Sequence, residues 1–139
     1  MTIHLIKLAV GVDDAAHLRA LQSRRLQSFG EVFHRTRMRP KRQDALLDGG
    51  SIYWVIRGAI AARQRLLALR DDNDEDGRPC CRLILDHQLI ETQRQTRRAF
   101  QGWRYLDAAD APADLSEPTG GNDELPADLI EELKRLGLW

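Results

Sequence analysis

The chain has 139 residues, 42% apolar and 30% charged, with 21 basic and 21 acidic side chains. That size and balance describe one globular domain and exclude a disordered or membrane-embedded chain, since no apolar run approaches the roughly 18 residues a bilayer span needs. Net charge is zero but unevenly placed. Residues 31–70 carry nine Lys/Arg against three Asp/Glu, 92–104 carry four against none, and 105–139 carry two against nine, so local rather than global charge bears on partners.

Met1 to Leu8 lacks a basic leader, a long apolar run and a small-residue cleavage site, so a cytoplasmic protein is expected. Ile3 to Val10 predicts a central strand, apolar on both faces. Gly11 ends it. Asp13 predicts the N-cap of a helix to Phe29, with Leu18, Leu21, Leu26 and Phe29 as its apolar stripe and Gly30 as its stop. Glu31 to Arg39 alternates as a second strand, and Pro40 opens a short helix to Asp48. Ser51 to Arg57 is the clearest strand, after Gly49-Gly50. Gly58 to Arg70 fits a helix by composition, or a strand only with a bulge near Gln64. Asp71 to Gly77 reads as a solvated turn. Cys80 to Asp86 returns as a strand, and Leu89–Gln93 and Ala99–Leu106 add two more. One helical turn fits Ala108–Leu115. The predicted organisation is an α+β domain over 1–115, built on a small mixed β-sheet flanked by two or three helices. A linker over 116–123 and an amphipathic C-terminal helix over 124–139 follow.

Little in the chain resembles catalytic machinery. Cys80 and Cys81 are adjacent and read as small buried hydrophobes, because neighbouring strand residues face opposite ways. His4, His17, His34 and His87 show no metal-ligand spacing, and no cofactor or metal is expected. The nearest approach to an enzyme would be His34 beside Asp44 in a cleft.

Two segments carry the functional expectation. In a strand, Arg35, Arg37 and Arg39 would share one face, a ridge of forked donors suited to phosphate, extended by Lys41 and Arg42 at the next helix start. The plainer alternative is a solvated face paired with the chain's acids. The second segment, Arg97 to Leu106, interleaves basic and aromatic residues. Trp103 and Tyr105 share a face for base stacking, with Arg98 or Arg104 nearby for the backbone. Here the plainer alternative makes Trp103 and Phe100 core anchors. The resulting expectation is a non-catalytic RNA- or nucleotide-binding module. The rival is an adaptor whose last helix docks a protein partner through Leu129, Ile130, Leu133 and Leu136. No membrane partner is expected.

Four blocks add a family resemblance: His4–Leu8, Thr36–Arg42, Gly49–Gly58 and Phe100–Leu106. Together they resemble a small bacterial domain-of-unknown-function family, number 1489, over about residues 2–115; that family brings no established activity. A fainter resemblance, from a short helix ending in Gly-Gly, a strand, a glycine and a second strand, is to PUA-like small barrels, including ASCH domains. It implies a PUA-like barrel, a strand over Gly58–Arg70 and RNA or nucleotide binding. The chain departs from ASCH domains in lacking a clear Gly-x-Lys-x-x-Glu block, so no ligand residues carry over.

Overall fold

The computed structural model describes residues 2–98, 100 and 102–115. The elements are β1 (Ile3–Leu8), α1 (Ala15–Phe29), β2 (Val32–Thr36), α2 (Gln43–Leu46), β3 (Ser51–Ile56), β4 (Ala59–Asn73), β5 (Pro79–Leu85), β6 (Ile90–Thr96) and β7 (Trp103–Asp107), then a 3₁₀ turn at Ala108–Asp110. The expected linker and C-terminal helix, with Leu129, Ile130, Leu133 and Leu136, lie outside the described residues.

The strands form one mixed, open sheet in the order β2-β5-β4-β3-β1-β7, with β6 also paired to β4. β1 and β3 run parallel; the other pairings are antiparallel. The fold is therefore α+β and dominated by its sheet, as expected. β3 is buried along its whole length, which suits its unbroken apolar, β-branched and aromatic run between two neighbours.

The open question over 59–70 resolves as strand. Arg57 and Gly58 both have positive φ (52° and 81°), the two-residue turn whose twist matches a hairpin. β4 pairs β3 through its first half, and its second half pairs β5. β6 follows β5 along the same edge of β4 after residues 86–89. Register shifts at 60/62 and 66/68 bracket Gln64 and let this long strand bend.

Several boundaries differ from expectation. Asp14, not Asp13, caps α1, accepting from the His17 N–H at 2.8 Å. β2 stops at Thr36 rather than Arg39, and α2 holds only one turn. Of the expected α1 stripe, Leu18 is buried, while Leu21 and Phe29 are exposed. Leu26 packs partly buried against the core, and polar contacts also tie α1 to the sheet. Gln22 and Gln64 exchange two amide hydrogen bonds of 2.6 Å, Trp54 Nε1 donates to Gln64 Oε1 at 2.9 Å, and Gln64 Nε2 donates to the Asp86 carbonyl. Gln64 is fully buried, and the four bonds make that burial tolerable.

Gly50 shows why no other residue fits there. A Cβ would strike the backbone oxygens of Leu46 and Ile3, so α2 presses directly onto β1. After β7 the chain crosses to the outer edge of β6, where Thr92 bridges Asp114 and the Gln93 N–H donates to the Ala113 carbonyl. A bidentate Arg63–Asp114 pair at 2.7 Å fastens this crossing.

Candidate functional site

The strand face that carries α1 sets out the site. Register places Trp54 of β3, Lys7 of β1 and Trp103 of β7 side by side on it. Tyr105 and Leu5 form the next row. A charge at position 7 is exceptional, because Ile3 and Leu5 on the same face belong to the main core.

The two sequence segments do meet here. Trp103 Nε1 donates to the Met38 carbonyl at 3.0 Å, and Tyr105 Oη accepts from the N–H groups of Lys41 and Arg42, each at 3.0 Å. The rings lie edge to face, 5.0 Å apart, and the Arg42 guanidinium sits 5.6 Å from the Tyr105 ring centre. β7 thus fixes the backbone of the basic loop 38–42, and both aromatic polar atoms serve that purpose.

The expected arginine ridge does not form. Because β2 ends at Thr36, Arg37 and Arg39 leave the strand, and only Arg35 keeps its place. Arg35 Nε donates to Asp72 at 2.8 Å, and Arg39 to Asp71 at 2.6 Å and to Gln43. A different arginine row does exist. Arg35, Arg82 and Arg70 are directly opposed across β2, β5 and β4. Glu31 and Asp72 neutralise it: Arg82 bonds both, and Arg70 reaches Glu31. Asp72 is held down to about 2, first by the Asn73 N–H and then by Arg35. Asp71 and Asp72, expected in a solvated turn, are thus strand residues that balance these arginines.

Arg37, Lys41 and Arg42 are exposed and have no carboxylate partner among the described residues. The other two basic candidates do not join them. Arg104 alternates to the opposite face, where its guanidinium lies 5.3 Å from the Phe100 ring centre. Arg98 follows β6, beside Arg97, whose N–H donates to the Gly58 carbonyl at the β3–β4 turn.

Beneath α1 lies a cavity of about 230 Å³. Its polar side is Lys7, Gln22, Arg25 and His34; its apolar side is the end of β1 with Val12, Leu18 and Leu21. Lys7 is half-buried, its pKa lowered by that burial, and it has no hydrogen-bond or ion-pair partner among the described residues. His34 packs edge-on to Trp54 at 5.5 Å. Burial, then the charges of Lys7 and Arg25, push it down to about 4, so it is neutral at pH 7. Its Nε2 is buried with no hydrogen-bond partner among the described residues. The considered pairing of His34 with Asp44 is not made; the charges His34 feels are cationic. Among the described residues no group of three His, Cys, Asp or Glu side chains is placed to hold a metal, and none of their helices is long and apolar enough to cross a membrane.

Sequence reasoning passed over Lys7, Gln22, Arg25, Trp54 and Gln64. Two of them left a readable signal: Lys7 and Gln64 each interrupt an otherwise apolar, inward-facing alternation, Ile3-Leu5-Lys7 and Ala62-Gln64-Leu66.

The fold and this face define a small sheet-dominated α+β domain with a basic loop fixed beside a cation-lined cavity. The chain belongs to the family described as "Protein of unknown function (DUF1489)", whose model matches residues 5–139. That match reaches further than the 2–115 covered by the resembling blocks. No curated protein and no solved structure matches the chain.

Proposed function

We propose that this domain is a non-catalytic RNA- or nucleotide-binding module that takes single-stranded RNA along the loop 37–42. The observation that carries the reading is the triple anchoring of that loop by Trp103 and Tyr105. It holds Arg37, Lys41 and Arg42 outward, with no carboxylate partner among the described residues. Preset cations lose little freedom on meeting a phosphate backbone. Trp103 and Tyr105 remain half-exposed beside them and offer ring surface to a base. Arg98 and Arg104 lie elsewhere and are left out of the site.

The PUA-like resemblance agrees with this reading. β7, β1, β3, β4 and β6 are consecutive neighbours, and residues 113–115 run back onto β6, while the sheet itself stays open. Fluorescence anisotropy of the full chain with a labelled single-stranded RNA at low salt tests the proposal. Saturable binding that the triple variant Arg37→Ala, Lys41→Ala, Arg42→Ala abolishes is expected. Absence of binding by the unaltered chain, or undiminished binding by a folded triple variant, would overturn it.

A further inference from the structure

We propose that the cavity under α1 is a separate binding site for a small organic monoanion, a carboxylate on an apolar body about the size of one ring. Three features of the cavity argue for it independently of RNA.

The first is charge. Lys7 and Arg25 bring two cations to the cavity, and no Asp or Glu lines it. Arg25 spends one N–H on the Phe33 carbonyl at 2.7 Å, and Lys7 spends none among the described residues. A half-buried ammonium without a partner is costly to maintain, and an anion in the cavity would offset that cost.

The second is the orphaned ring nitrogen. His34 Nε2 is buried and unpaired, on a ring fixed against Trp54. Buried polar atoms are rarely left so. A neutral imidazole carrying its proton on Nε2 donates one hydrogen bond, which suits a carboxylate oxygen already facing Lys7.

The third is shape and polarity. The rest of the lining includes Leu8, Val10, Val12, Leu18 and Leu21, and Val10 is 79% exposed. A hydrated inorganic ion would leave that apolar lining without a contact. An apolar cavity of about 150 Å³ already admits benzene, so about 230 Å³ holds a ring-sized body and its carboxylate. Leu21, an exposed member of the helix stripe, then gains an apolar neighbour.

The site is tested by titrating the ¹⁵N-labelled full chain with benzoate, benzamide and inorganic phosphate, following the amides of Leu8, Leu18, Gln22 and Phe33. Benzoate is expected to shift them saturably. Benzamide, with the same shape and no charge, is expected to bind more weakly by roughly tenfold or more, the worth of a charged hydrogen bond. Lys7→Met in a folded chain is expected to cost benzoate a similar factor. Arg25→Gln, at the solvent-exposed mouth of the cavity, repeats the test should the Lys7 variant not fold. Equal affinity for benzoate and benzamide would reduce the cavity to an apolar void and overturn the proposal. So would phosphate matching benzoate, or no shift at these amides at millimolar benzoate. RNA binding by the loop is read separately, so failure of one site leaves the other standing.

Discussion

The row Arg35–Arg82–Arg70, wholly on the sheet, and the pair Lys7–Arg25, one from β1 and one from α1, are both clusters of cations, yet they are opposite in kind. In the row, Asp72 and Glu31 stand between the guanidinium groups and accept hydrogen bonds of 2.8–3.1 Å. In the cavity no carboxylate intervenes, and a neutral His34 takes the place an acid would fill. The row therefore holds strands β2, β5 and β4 together, while the cavity keeps unspent charge. Density of basic residues in a sequence does not measure anion-binding capacity; what matters is which cations the fold leaves without acids.

Four measurements would break or sharpen that contrast. The largest effect belongs to pH. His34 drops from 6.5 to about 4 on folding, so between those values the unfolded chain binds more protons than the folded one. Its contribution is present above pH 6.5 and lost as pH falls toward 4, by roughly 3 kcal/mol. Urea unfolding across that range should show this loss, and His34→Gln should flatten it. An unchanged pH profile in the variant would mean that the imidazole is not neutral in the fold.

Arg82→Met comes next. Its side chain, 21% exposed, bonds Glu31 and Asp72 and lies 4.0 Å from the Phe33 ring centre. Removal should cost about 2 kcal/mol, below the figure for a fully buried pair because Arg35 and Arg70 still serve the acids. The same substitution at Lys7 should go the other way, stabilising the chain by about 1 kcal/mol, since it removes an unpartnered half-buried charge. Chemical denaturation of the two variants side by side compares the regions directly, and equal signs would refute the distinction. The smallest effect is Arg37→Ala, which should leave stability within about 0.5 kcal/mol while weakening RNA binding.

The sheet was largely legible because β1, β3 and β5 are short apolar runs rich in β-branched, leucine and aromatic residues, and β3, buried on both faces, is unbroken. The bent strand β4 was expected only through the resemblance, because Ala59 to Leu67 satisfies helix propensity, and pairing with β3, β5 and β6 decides between the two states. The convergence of the 38–42 loop with Trp103 and Tyr105 was half-legible. Both segments stood out, but hydrogen bonds spanning more than sixty positions have no local trace. The neutralisation of Arg35 by Asp72 was hidden for a related reason. The acids read as a hairpin tip until the length of β4 carried them within ion-pair reach of the arginines. Lys7 could have been singled out by its interruption of a core-facing alternation, whereas Arg25 only reaches the cavity through the packing of α1.

The most direct test of the account is the salt dependence of single-stranded RNA binding by the full chain and by two double variants. Three free cations predict a slope of log K against log salt of about −2, roughly a 20-fold loss from 50 to 200 mM salt. Lys41→Ala/Arg42→Ala should reduce that slope by about 1.4, whereas Arg35→Ala/Arg39→Ala, whose charges Asp72 and Asp71 already hold, should leave it nearly unchanged. Equal reductions in both variants, or a slope near zero in the unaltered chain, would contradict it.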